Sequence, residues 1–410
     1  MTERREALRL AFTLALGAAV SLGLARFSYA LLLSPMREDL GWSYALSGLM
    51  NAANAAGYLI GAMSLPALTA RLGARRLLIL GSVLAALFMA LHGAVRSDGA
   101  MLAVRTATGV ASGFVFASGG LLAARLATQA APLGLSPGLI LGIYYGGAGW
   151  GIVLSALCVP LFVDDLLPGL MATGGVRAWP AAWGALAGLA VLAALWMCWA
   201  VPRSAAEPAA QRGSGEAAVG QLAFGIAGYF LFGVGYIGYM TFIVTLLRES
   251  GLASEVVALF YAVLGLAVVV SPWLWAGLLQ RERGGGALAR LNGLLGLAVI
   301  LPLLWLHPIP AFVSGAIFGA VFLSVVASTT AMVRHNLPPE RWSAGIAAFT
   351  IVFACGQILG PAITGWISDR GGDLTSGLAF SAASLLLGAL LASLQHPLAS
   401  DRDEPVSKSH

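Results

Sequence analysis

The sequence predicts an all-α polytopic membrane protein with twelve transmembrane helices arranged as two parallel six-helix halves. Composition comes first: the 410 residues are 59% hydrophobic and only 10% charged, with mean hydropathy +0.86, against roughly 25% charge in a soluble domain. The second observation is spacing. Apolar runs alternate with short polar breaks, and twelve spans of about 20 residues each account for nearly all the apolar content. Third, the halves repeat weakly at an offset of 211 residues, pairing Gly73 with Gly284, Arg37-Glu38 with Arg248-Glu249, Ser43 with Ser254 and Gly149 with Gly360. Each half has an even number of spans, so the copies share one orientation. Parallel halves related by an axis along the membrane normal are a known transporter design with the binding site between them.

The first apolar run covers 11–33, behind Glu3, Arg4, Arg5 and Arg9. It is too long for the core of a signal peptide and further spans follow, so it reads as an uncleaved first helix. Spans at 45–68, 77–95, 100–127, 137–162 and 181–201 complete an N-terminal half over 1–201. Residues 202–219, rich in Ala, Gly, Ser and Pro with mixed charge, read as a flexible cytoplasmic linker. Spans at 219–247, 254–279, 288–306, 310–333, 343–368 and 375–395 form the second half over 220–396. The polar residues 397–410 read as a disordered cytoplasmic tail. An N-terminus on the cytoplasmic side leaves only Arg37, Arg96, Arg177, Arg248 and Arg370 outside, with Arg26 and Arg105 inside spans and the rest of the 23 Lys and Arg residues cytoplasmic. The positive-inside rule therefore puts both termini in the cytoplasm.

The net charge of +5 comes from arginines scattered through short loops, which form no patch for nucleic acid. Cys158, Cys198 and Cys355 all fall in apolar runs, without the spacing of a disulfide framework or a metal site. Gly233, Gly235 and Gly238 fit G-x-G-x-x-G literally, but inside an apolar span with no preceding strand, so neither a nucleotide nor any other cofactor is expected. No H-E-x-x-H or paired intramembrane carboxylate points to an enzyme.

Loop and glycine patterns carry a family resemblance. Pro66, Ala70, Arg71, Gly73, Arg75 and Arg76 follow the second span, and Gly277, Arg281, Glu282, Arg283 and Gly284 follow the eighth. Arg105, Gly109 and Gly113 fit R-x-x-x-G-x-x-x-G in the fourth span, while Gly142 with Gly146 and Gly356 with Gly360-Pro361 mark the fifth and eleventh. Together these resemble the major facilitator superfamily, whose loop signature is G-x-x-x-D-R-x-G-R-R. The resemblance implies a rocking transporter with Arg71, Gly73 and Arg75 in a conformational loop, Arg105 at the cavity, and the glycines as packing devices. Pro66 and Ala70 depart from the signature, and Ala70 removes the aspartate that helps latch the halves. Read from the residues alone, the loop arginines also fit simple positive-inside residues. A narrower match, through Gly23, Arg26, Phe27 and Tyr29, then Pro35 to Ser43, then Asn51, Asn54, Gly57, Tyr58 and Gly61, is similar to the YbfB-like branch of bacterial transporters. It implies the bacterial inner membrane and transport, with no settled substrate.

Candidate ligand residues begin with the two arginines, since an intramembrane charge is costly and here no Asp or Glu lies at comparable depth. Arg26 lies about 10 Å below the expected outer end of its span and Arg105 about 8 Å below the start of its own, at 1.5 Å per residue. Their depths match, and the resemblance puts both spans at the central cavity. Two readings stand: the planar forks coordinate an anion, or each arginine snorkels to the interface or braces helices. Asn51, Asn54 and Tyr58 share a helical face with Gly61, which either meets the cavity or packs against a polar neighbour. Tyr29, Tyr236 and Gln357 complete the candidate substrate-binding set, and His92 reads as an interfacial histidine. Carboxylates fall at span ends, so proton coupling has no obvious carrier. The function expected is secondary active transport of a small organic anion by alternating access, with the lipid bilayer as setting and the oligomeric state left open, a monomer being compatible. Efflux of amphipathic or drug-like compounds is the alternative transporter reading, and a membrane sensor or receptor the alternative from another class.

Overall fold

A computed structural model describes residues 2–164, 178–203 and 219–398. The expected linker and tail fall almost wholly outside these residues. Among the described residues all regular structure is helical. The first span is composite: α1 (Thr2–Ala18) runs into a π-helical segment, Ala19–Phe27, and then α2 (Tyr29–Leu40). The first half continues with α3 (Tyr44–Leu72), α4 (Ala74–His92), α5 (Asp98–Ala130), α6 (Pro137–Val163) and α7 (Trp179–Ala200). The second comprises α8 (Ala223–Glu249), α9 (Ser254–Leu274) with the short α10 (Ala276–Arg281), α11 (Gly286–Leu304), α12 (Pro308–Asn336), α13 (Trp342–Gly371) and α14 (Leu374–Ser393).

Eleven spans among the described residues are long and apolar enough to cross a membrane. The twelfth expected span, α3, fails on apolarity and not on its length of 29 residues. It carries Ser47, Asn51 and Asn54, and protein covers all three. A polar helix is tolerated at membrane depth where neighbours satisfy it.

Glycines set how closely the helices approach. A Cβ on Gly57 would strike the Thr106 carbonyl, and one on Gly109 the Asn54 carbonyl, so α3 and α5 touch backbone to backbone. In lipid, where apolar burial gives no drive for helix association, such close packing supplies the cohesion. The repeat reproduces it: a Cβ on Gly319 of α12 would strike the Leu264 carbonyl of α9. Gly113 approaches the Tyr58 carbonyl, while Gly356 and Gly360 abut the Phe230 and Val234 carbonyls of α8. Gly233, Gly235 and Gly238 likewise face α13 and α14, which accounts for the literal nucleotide pattern as helix packing.

The halves meet along two crossings. Gly48 and Pro361 bring α3 onto α13, and Gly149 and Gly265 bring α6 onto α9. Residues one repeat apart also touch: the Ser34 hydroxyl donates to Thr245 Oγ1 at 3.2 Å, with 211 positions between them. Only residues beside a pseudo-twofold axis can meet their own equivalents, so the sequence repeat is a spatial one.

At the end of the molecule away from the N-terminus, polar contacts bind one half to the other. Arg248 donates from both terminal nitrogens to the Asp164 carboxylate, at 2.8 and 3.0 Å. Arg37 donates to Glu249 at 3.1 Å, and the Tyr44 hydroxyl donates to the same carboxylate at 2.7 Å. Asp369 of α13 accepts from the amides of Tyr44 and Ala45, each at 2.8 Å, and so caps α3 from the opposite half. The bidentate Arg248–Asp164 pair is the more buried, with side chains 16% and 8% exposed, whereas Arg37 and Glu249 are 27% and 39% exposed. Exposed pairs contribute about 0–1 kcal/mol. Asp164→Asn is therefore expected to loosen this face more than Glu249→Gln. Maleimide labelling of Ser34→Cys, with the three native cysteines replaced, reads the difference; equal labelling in both variants would refute the ranking.

Candidate functional site

Between the halves lies a cavity of about 480 Å3. It runs from Arg26, Tyr58, Tyr236 and Gln357 at its deep end to Thr330 and Arg334 at the last turn of α12. It opens on the face that carries the N-terminus, the face opposite the Asp164 and Glu249 contacts. A larger groove of about 1090 Å3 lies on the outer flank of the first half, bordered by Phe12, Trp196 and Trp199. Those rings are 58%, 52% and 79% exposed, as suits a flank facing lipid, so the groove is set apart from the path between the halves.

Arg26 is delivered by the π-helical segment. The Ser28 amide donates to the Gly23 carbonyl at 3.0 Å, the i→i−5 bond of a π turn. Such a turn leaves carbonyls without their usual helical donors. The Ser28 hydroxyl donates to the Leu24 carbonyl at 2.5 Å, and the Tyr261 hydroxyl of α9 donates to the Phe27 carbonyl at 2.6 Å. Gly23 and Gly151 let the segment lie against α6. The guanidinium is 3% exposed by residue and donates from Nη2 to Gln357 Oε1 at 2.6 Å. Gln357 Nε2 in turn donates to the Tyr236 hydroxyl at 2.8 Å. Arg26 also lies 5.4 Å from the Tyr58 ring centroid, a cation–π distance. Its Nε is buried without a hydrogen-bond partner among the described residues, and these contribute no carboxylate to the cavity lining.

Arg105 sits elsewhere. It is fully buried, donates from Nε to the Met50 carbonyl at 3.2 Å and from Nη2 to Asn51 Oδ1 at 3.1 Å, and stacks 4.1 Å over the Tyr29 ring. Asn54 donates to the Arg105 carbonyl at 3.2 Å, Tyr29 to the Ser47 carbonyl at 3.0 Å, and Asn51 to Thr241 Oγ1 at 2.6 Å. Four of the eight expected ligand residues, Arg26, Tyr58, Tyr236 and Gln357, thus meet in the cavity, while Arg105, Tyr29, Asn51 and Asn54 form a bracing cluster behind it. The helix ends lie at unequal distances: the first span continues to Leu40, past Pro35, about 20 Å along the axis from Arg26, against about 10 Å between Arg105 and Asp98. His92 is also buried, with its ring stacked 4.3 Å from Trp183.

In the conformational loop, Gly73 adopts φ +80°, a left-handed turn that only glycine takes without strain. Arg75 donates to the Val201 and Cys198 carbonyls at 2.8 and 2.6 Å, capping the last turn of α7. Arg71 and Ala70 are exposed. Gly142 packs on the Trp273 ring and Gly146 against Val269.

Sequence reasoning missed the aromatic walls. Phe232, Phe322 and Phe353 line one side with Tyr236, and Phe116 and Tyr145 line the other with Tyr58. The signal was present: Phe349, Phe353 and Gln357 recur every four residues on one face of α13.

The family described as uncharacterised MFS-type transporter YbfB matches residues 18–393. The chain belongs to this branch of the major facilitator superfamily. The MFS transporter is 31% identical over 159 residues to a putative tartrate transporter of Agrobacterium vitis, a match spanning 36% of this chain and 33% of the relative. It thus spans about a third of that relative's length. Its fold is similar to that of a bacterial homologue of the human lysosomal transporter Spinster, solved inward-facing and unoccupied, with TM-score 0.69, 14% identity and 95% of each chain covered. The nucleoside transporter NupG gives TM-score 0.64 and 15% identity, over 96% of this chain and 98% of NupG. The expected all-α, multi-pass fold and the transporter class are therefore those of this MFS member.

Proposed function

We propose that this transporter carries a small organic anion across the bacterial inner membrane by alternating access, with Arg26 as the counter-ion of the bound ligand. One observation carries the reading: a buried guanidinium at the deep end of the cavity, with no carboxylate among the described residues of the lining. A cation almost wholly buried by protein without an anion is costly, and a ligand carboxylate or phosphate offsets that cost. The partial match to a putative tartrate transporter supports an anion independently. The arginine bias sets the N-terminal face in the cytoplasm, so the cavity opens inward in this conformation. Gln357, Tyr236 and Tyr58 orient the ligand, while Arg105, Tyr29, Asn51 and Asn54 hold the helices around it. The cavity lining has no carboxylate or histidine to relay a proton, which favours anion exchange or symport of a protonated ligand. Aromatic walls favour the second reading, efflux of amphipathic compounds; Arg26 opposes it for cations.

The test is uptake into proteoliposomes of a panel of labelled carboxylates, neutral solutes and organic cations. Saturable uptake confined to anions is expected. Saturable uptake of neutral or cationic solutes alone would overturn the proposal.

A further inference from the structure

We infer that the transported anion is a flat aromatic monocarboxylate; this rests on the anion reading above and narrows it. The charge count comes first. At the deep end a ligand meets one guanidinium, that of Arg26, because Arg105 is fully buried behind Tyr29 and Asn51, and Arg334 is exposed at the mouth. A second carboxylate on a ligand seated at Arg26 would lose water against phenylalanine rings, with the Arg334 guanidinium only at the mouth.

Shape comes next. Along the second-half wall the rings lie nearly parallel: Phe232 and Phe353 at 6° and 5.4 Å between centroids, Phe232 and Tyr236 at 18° and 4.7 Å, Tyr236 and Phe322 at 12° and 5.9 Å. Tyr58 and Phe116 face them from the first half. A cavity bordered by aromatic rings from both halves offers a planar ring faces and edges to pack against.

The polar inventory agrees. Gln357 spends its carbonyl on Arg26 and one amide hydrogen on Tyr236, which leaves the Tyr58 and Tyr236 hydroxyls to meet the carboxylate and phenylalanine rings to meet the rest of the ligand. At the head stands the Arg26 guanidinium, held in place through Nη2 by Gln357. Its planar fork of donors matches one carboxylate.

The test compares uptake of labelled phenylacetate and benzoate with that of tartrate and succinate by the wild-type protein in proteoliposomes, alongside thermal shift of the purified protein with each acid. The aromatic acids are expected to be taken up at least about tenfold more efficiently, equivalent to about 1.4 kcal/mol. Phe353→Leu and Phe322→Leu are expected to lower phenylacetate uptake several-fold, with folding checked by a monodisperse elution peak. Preference for tartrate or succinate would overturn this inference and leave the anion reading intact. Uptake of neutral or cationic solutes alone would overturn both. Neither uptake nor thermal shift with any aromatic acid would also overturn it.

Discussion

Arg26→Met is expected to abolish anion uptake while raising the melting temperature of the ligand-free protein. The guanidinium is 3% exposed, makes a single hydrogen bond, to Gln357, and has no carboxylate beside it. A methionine of comparable length relieves a buried, uncompensated charge, a replacement often worth about 1–4 kcal/mol in stability. The ligand loses its partner: truncating one side of a buried charge pair costs about 2–5 kcal/mol, more than tenfold in affinity at about 1.4 kcal/mol per decade. Arg105→Met is expected to do the reverse to stability, because it strips Asn51 of its donor and Tyr29 of its stacked cation. Melting followed by tryptophan fluorescence, with uptake assayed in parallel, separates the two arginines. A fall in melting temperature for Arg26→Met equal to that for Arg105→Met would make Arg26 a structural residue.

Gly57→Leu is expected to prevent assembly of the first half. Any Cβ there meets the Thr106 carbonyl and the Val110 amide nitrogen, which are backbone atoms that no rotamer change can move aside. Overpacking a core costs about 1–3 kcal/mol when side chains can yield, and here α3 and α5 must separate. Loss of the monodisperse peak on size exclusion is the measurement. Gly188→Leu is the control, because nothing lies within 4 Å of its added Cβ and the position is exposed on α7. Comparable elution of both variants would refute the close-contact argument.

The spans were legible because hydropathy reports what faces lipid. It also explains the failures. Hydropathy ends where the bilayer ends, while backbone hydrogen bonding runs on, so the first helix extends to Thr2 and Leu40 beyond its apolar run. It undervalues α3, whose Ser47, Asn51 and Asn54 are covered by protein. Arg26 and Arg105 look equivalent in sequence because both interrupt apolar runs. What separates them is tertiary: the π-helical segment turns one into the cavity, and α3 and Tyr29 seal off the other. The aromatic walls were hidden for a related reason, since phenylalanine in a membrane helix reads equally well as lipid-facing, and only the spacing along α13 hinted at a shared face.

The cap that Asp369 places on α3 has a consequence for the transport cycle. Ser43 satisfies only the Leu46 amide of that helix start, and the amides of Tyr44 and Ala45 are held by a carboxylate from the other half. When the halves part at this face, the carboxylate leaves and those donors go to water. On the alternating-access proposal, the cap on the first turn of α3 counts only toward the state in which this face is closed, so exchanging that carboxylate for water becomes part of the balance that sets which way the transporter faces.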